Sequence, residues 1–133
     1  EIRLSLVGSE MCIRDRPEVP LAAAARASQA LLARHGLHAG QLAAIELHDA
    51  FAVQALDFAH VLGQPAERLN RRGGGLARGH PIGASAAIAL VRLLADLARD
   101  EAPGALGLAS AAGAGGIGTA ALVERLAGIS PAP

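Results

Sequence analysis

From Leu21 to His35 the chain reads LAAAARASQALLARH, rich in Ala with Leu31 and Leu32 apolar, and with Arg26 and Gln29 three apart on an outer stripe. That spacing predicts a helix with one polar side, and Gly36 is a natural stop for it. After a loop over Leu37 to Gln41, the short apolar run Leu42 to Leu47 (LAAIEL) reads as a buried strand. Helical spacing returns from Ala50 to Leu62, where Gln54, Asp57 and His60 recur every third residue among apolar neighbours. Asp49 stands where an N-cap is expected, and Gly63 and Pro65 close the segment. Ala66 to Arg72 is a polar connector. A second strongly apolar helix is predicted from Gly83 to Arg99. Its polar residues Ser85, Arg92, Asp96 and Arg99 share one stripe. Such a helix is buried on most of its circumference, so a further layer of protein beyond this chain is expected over it. Ala105 to Ala111 reads as a strand. Next come Gly113-Ala114-Gly115-Gly116-Ile117-Gly118 and a second extended run, Thr119 to Leu126. The glycine pattern matches a dinucleotide-binding fingerprint. That motif needs an acidic residue about 20 positions further on, inside a βαβ unit of about 30 residues. A glycine turn joining two strands fits the remaining length better.

Composition sharpens this picture in three ways. Hydrophobic residues make up 52% of the 133, with two Phe and no Tyr or Trp, so the core is built from Ala, Leu, Val and Ile. The 12 basic residues, all Arg, balance 12 acidic ones, which leaves no electrostatic footprint for nucleic acid or an anionic membrane. One cysteine excludes an internal disulfide framework. The apolar run from Ile82 to Val91 is too short to span a bilayer, and no segment has the layout of a secretory signal, so a cytoplasmic location is expected. Residues 1–16 differ from the rest: they hold the only Met and Cys (Met11, Cys12) and no Ala. SLVGSEMCIRDR resembles translated sequencing-adapter read-through. The expected division is therefore a non-native or disordered segment over 1–16, a domain over 17–128 and a tail over 129–133. The alternative for the first segment is a strand from Ile2 to Val7.

The candidate chemistry centres on Gly73-Gly74-Gly75-Leu76-Ala77-Arg78-Gly79-His80-Pro81. Glycines allow close backbone approach, and Pro81 stiffens the chain behind His80. An imidazole presented this way suits acid/base work near neutral pH; the plainer alternative is a surface turn with an incidental histidine. His48 falls where a strand ends and a helix begins, a common place for sites in α/β sheets. Its alternative is a core histidine bonded to backbone. His35 and His38 form an H-x-x-H pair, but no carboxylate or cysteine completes a metal site. Arg71-Arg72-Gly73 is a single RGG-like triplet without an aromatic for base stacking.

Three stretches, HDAFAVQ from His48, NRRGGGLARGHPIGAS from Asn70 and GLASAAGAGGIGTAALVE from Gly107, carry a resemblance in order and spacing. Together they resemble the C-terminal domain of thiolases, enzymes that make or cleave 3-ketoacyl-CoA. The resemblance covers Pro17 to Leu126. It implies an α/β fold, a mixed sheet with helices on both faces, and a chain that is the C-terminal fragment of a longer enzyme. His80 would activate a nucleophilic cysteine held in the missing N-terminal half and help to form an oxyanion hole. His48 stands where many thiolases carry the Asn of N-E-A-F, and would hold an oxygen opposite His80. Gly79, Phe51 and the Ala114 backbone N–H are the implied substrate-contacting positions. The implied substrate is acetyl-CoA or another acyl-CoA, with coenzyme A as part of the substrate and no separate cofactor or metal. The intact parent would be a homo-oligomer.

One position departs from the family pattern. Thiolases usually carry an acid/base cysteine where this chain has Ala112. That leaves two alternatives to a thiolase: a decarboxylating, ketosynthase-like condensing enzyme, or a non-catalytic binding protein of the same fold.

Overall fold

A computed structural model describes residues 3–14 and 20–127. The tail expected over 129–133 and most of the Pro17–Pro20 entry lie outside these residues. Four strands form one sheet in the order β1-β4-β3-β2. They are β1 (Arg3–Arg14), β2 (Leu42–His48), β3 (Leu106–Gly113) and β4 (Ile117–Leu126). β2 runs parallel to β3, β3 is antiparallel to β4, and β4 is antiparallel to β1. β3 and β4 are joined by the three-residue turn Ala114–Gly116, with Gly115 and Gly116 at positive φ. The glycine cluster is thus a strand–strand turn, as its length suggested.

Side chains alternate across a strand, and that alternation divides the core in two. Ile45 and Leu47 of β2, Leu108 of β3 and Leu122 of β4 pack with Leu31 and Leu32 of helix α1 (Ala23–Arg34) and with Phe58 of helix α2 (Ala52–Val61). Ala44, Ala109 and Val123 face the other way, onto Leu93 and Leu97 of helix α4 (Ser85–Asp100). Helices therefore cover both faces of a mixed sheet. α1 can lie very close because its inner face is Ala23, Ala24 and Ala27, all fully buried. The approach is tightest at Gly118, where a Cβ would run into the Ala23 carbonyl. Among the described residues, no helix is long and apolar enough to cross a membrane.

Three expectations need correction. The first concerns residues 1–16, expected to be non-native or disordered, with a strand over Ile2–Val7 as the alternative. Arg3–Arg14 instead forms an edge strand paired along β4 from Arg3↔Leu126 to Arg14↔Ile117. The second concerns α4, expected to be buried on most of its circumference with its polar residues on one stripe. Ser85 and Asp96 are buried, because each has a polar partner inside the fold, while Val91 is 64% exposed and Ile82, just before the helix, is 84% exposed. The third concerns α2. Gln54 is buried, with its side-chain oxygen accepting the Ala50 N–H at 3.2 Å, whereas Phe51, Val53 and Leu56 are exposed. The described residues leave these apolar side chains uncovered.

Gly118→Ala is expected to destabilise the domain by about 1–3 kcal/mol, the usual cost of overpacking. Gly83→Ala, where a Cβ meets open space, is the control and should stay within about 0.5 kcal/mol. Urea midpoints for both variants check this, and equal midpoints would contradict the packing described.

Candidate active site

The site begins at the carboxyl end of β2. Alternation sends Glu46 and His48 to the α4 side of the sheet, and Asp49 follows at the strand end. Asp49 does not cap α2 as expected. The N-cap position is Phe51, extended at φ −136°, ψ 142°, with no side-chain cap, and the helix starts at Ala52. The buried Asp49 carboxylate turns instead into the glycine loop, where it accepts the Gly75 N–H. Gly75 opens the single turn α3 (Gly75–Arg78). Neither Gly74 nor Gly75 has room for a Cβ: at Gly74 it would strike the Asp49 carboxylate, and at Gly75 it would lie 2.9 Å from the Asp49 carbonyl and 3.2 Å from a His48 ring carbon.

The connector before the loop is tied down on both flanks. Asn70, at φ 49°, donates its backbone N–H to Ile45 at 2.9 Å, and its side-chain oxygen accepts the Leu47 N–H at 2.8 Å. Arg92 of α4 donates to the carbonyls of Arg72 and Gly73 at 2.9 and 3.0 Å, and to Glu46 at 3.2 Å. Glu46 is 1% exposed; burial pushes its carboxyl up from the usual range and Arg92 pulls it back. Arg72 pairs with Asp96 and Asp100, and Arg71 with Glu101. The arginines that looked like an RGG triplet are engaged in holding this connector.

Gly79, at φ 87°, then turns the chain so that His80 returns over His48. The two imidazoles stack with centroids 4.5 Å apart and planes 23° from parallel. Their surroundings differ. His48 is 4% exposed, and its Nε2 has no hydrogen-bond partner among the described residues. Desolvation lowers its pKa below the ordinary 6.5. His80 and Arg78 push the same way, and Asp49 opposes. His80 is exposed, with Nδ1 2.9 Å from Ser85 Oγ; that hydroxyl donates to the Pro81 carbonyl at 3.0 Å.

Two hollows meet at this pair. A small pocket is lined by His48, Gly75, Arg78, Gly79, Ser85 and Ile88, among others. A larger groove runs past Phe51, Gln54, His80, Ala112, Gly113 and Ala114. The structure thus gathers His80, Phe51 and Ala114 along one wall system, with His48 and Gly79 lining the adjoining pocket. Ala112 faces the groove with a methyl group. Among the described residues, no three or more His, Cys, Asp and Glu side chains come together as a metal site requires. Sequence reading passed over Ser85 as the partner of His80. Its position five residues on, across a Pro-Ile-Gly turn, was the available signal. An exposed imidazole beside a buried neutral one can move a proton at one face and offer a hydrogen bond at the other.

A family model for the thiolase C-terminal domain matches residues 8–125. An acetyl-CoA acetyltransferase from Escherichia coli is 46% identical over 101 residues, covering 75% of this chain and 25% of that protein. A peroxisomal 3-ketoacyl-CoA thiolase from Encephalitozoon cuniculi is 42% identical over 105 residues, covering 79% of this chain and 27% of that protein. The crystal structure of a thiolase from Ascaris suum in complex with coenzyme A superposes with a TM-score of 0.85 at 32% identity, over 92% of this chain and 31% of that one. The chain therefore spans a quarter to a third of the length of these relatives.

The His48 environment has a consequence for stability. Its folded pKa lies below 6.5, so as pH falls through 6.5 the unfolded chain takes up the proton first. Stability from this residue is complete above that value and is lost as the pH drops from there through the lower pKa of the folded state. Each tenfold weakening of proton binding in the fold corresponds to about 1.4 kcal/mol. His48→Asn should flatten the dependence on the acid side of pH 6.5. Denaturation midpoints across that range test it; identical slopes in both proteins would sink the assignment.

Proposed function

The chain belongs to the thiolase family, as a C-terminal domain, and from that premise we propose that the protein containing it transfers acyl groups between coenzyme A and a cysteine outside this chain. The products or substrates of that transfer are 3-ketoacyl-CoA thioesters. The observation that carries this reading is the stacked His48–His80 pair at the edge of the Phe51–Ala114 groove. In this reading His80 takes the thiol proton of the nucleophile and then donates to the thioester oxygen. His48, kept neutral by burial, hydrogen-bonds the same oxygen from the other side. Donors fixed before the reaction stabilise developing negative charge without reorganising, which makes such a pair effective. The Ala114 N–H serves a second thioester oxygen across the groove. The exposed Phe51, Val53, Leu56 and Val91 support a further layer of the whole protein docking over this domain.

Ala112 favours a second reading. Removing an α-proton from a thioester needs a positioned base, worth about 10²- to 10⁴-fold, and a methyl group cannot act as one. A donor bearing a β-carboxylate avoids that need: its C–C bond breaks, CO₂ leaves, and the electron pair stays on the α-carbon for attack on the acyl-cysteine. The same two histidines would then steady the enolate oxygen.

The full-length protein separates these readings. Radiolabelled acetyl-CoA should acylate one cysteine, and His80→Ala should slow this by about 10²- to 10³-fold, the loss expected for a charge-stabilising donor. Labelling that survives the substitution would remove His80 from the reaction. Thiolysis of acetoacetyl-CoA then selects the thiolase reading, and malonyl-CoA condensation without thiolysis selects the decarboxylating one.

A further inference from the structure

We propose that Ser85 is a positioning residue that fixes the ring of His80 as the Nδ1–H form and leaves Nε2 as the lone-pair nitrogen offered to the nucleophile; this rests on the acyltransferase reading above. A neutral imidazole has one donor and one acceptor nitrogen, and the partner of one decides the role of the other. Nδ1 of His80 lies 2.9 Å from Ser85 Oγ. A serine hydroxyl has one proton and two lone pairs. Here the proton has a place to go, the Pro81 carbonyl at 3.0 Å, one turn back. The same chain uses this bond in α1, where Ser28 donates to the Ala24 carbonyl at 2.9 Å. With its proton so placed, Ser85 Oγ accepts from Nδ1–H.

The stack on His48 cannot do this alone. It sets the plane of the His80 ring, but a half-turn of the ring would keep the stack while exchanging nitrogen for carbon. Ser85 bonds one orientation and not the other. The arrangement also serves both charge states. When His80 takes a proton at Nε2, Nδ1–H is still a donor and Oγ still an acceptor, so nothing has to rotate. A hydroxyl donating to Nδ1 would have to turn over at that moment. Ser85 is buried, which shields the bond from competing water.

The test uses the full-length protein labelled with ¹⁵N-histidine, as wild type, Ser85→Ala and Ser85→Thr. In the wild type the ring ¹⁵N shifts of His80 should report Nδ1–H. Ser85→Ala should populate the Nε2–H form and lower kcat for acylation by acetyl-CoA on the order of 10- to 100-fold, part of what general-base catalysis contributes, with KM unchanged. Ser85→Thr, which keeps the hydroxyl, should restore both. If Ser85→Ala folds poorly by thermal midpoint, Ser85→Cys replaces it, since its sulfur is a weak acceptor of similar shape. A wild-type His80 resting as Nε2–H, or an unchanged tautomer in the variants lacking the hydroxyl, overturns the proposal. Absence of acylation in the wild type would count against the acyltransferase reading only, because the tautomer is read in the resting protein.

Discussion

Asp49 and the backbone of Gly74 and Gly75 touch directly, and the distance between the two histidines follows from that contact. His48 is fixed by β2, which is hydrogen-bonded along its length to β3. His80 lies five residues beyond Gly75, past the single turn α3 and Gly79. The Asp49 carboxylate joins the two by accepting the Gly75 N–H. Glycine is required because the carboxylate already occupies the space a Cβ would need. Asn70 and Arg92 hold the approach to this contact from β2 and α4. The stack of imidazoles is the end of this chain of contacts.

The two faces of the sheet serve different purposes. The α1 face is packed mainly with Ala, Leu and Ile45 around the buried Phe58, and its buried hydroxyls Ser28 and Ser110 both bond to the Ala24 carbonyl. The α4 face carries Glu46, His48, Arg92 and Asp96 among its apolar contacts. A buried carboxylate is costly unless it is paired, and this one gains a guanidinium that also ties down loop carbonyls. Charge on that face therefore holds the loop in place, while the cohesion of the domain comes mostly from the other side.

Much of this was legible in the chain. The runs Leu42–Leu47 and Ala105–Ala111, the helix stops at Gly36 and Gly63, and the glycine turn after Gly113 declare themselves through local rules of periodicity and turn chemistry. The grouping of His80, Phe51, Ala112 and Ala114 came through the resemblance to thiolases. What stayed hidden depends on partners distant in sequence. Asp49 looks like a cap because it precedes a helix, yet its partner is 26 residues away. Ser85 and Asp96 look like surface residues because they are polar, yet bonds to His80 and Arg72 offset the cost of burying them. Val53 and Leu56 look like core because they are apolar, and the described fold leaves them outside.

The edge strand β1 has a different kind of consequence. Its ladder to β4 is written in main-chain N–H and C=O groups, which every residue but proline supplies in full. It tolerates register shifts between Leu6 and Gly8 and between Met11 and Ile13. Such a rail admits an occupant by its extension and length, with scant regard for which residues it carries. The abrupt change of composition after residue 16 is therefore no obstacle to pairing. The histidine site depends on contacts between particular side-chain atoms; along its edge the sheet reads little beyond the presence of a backbone.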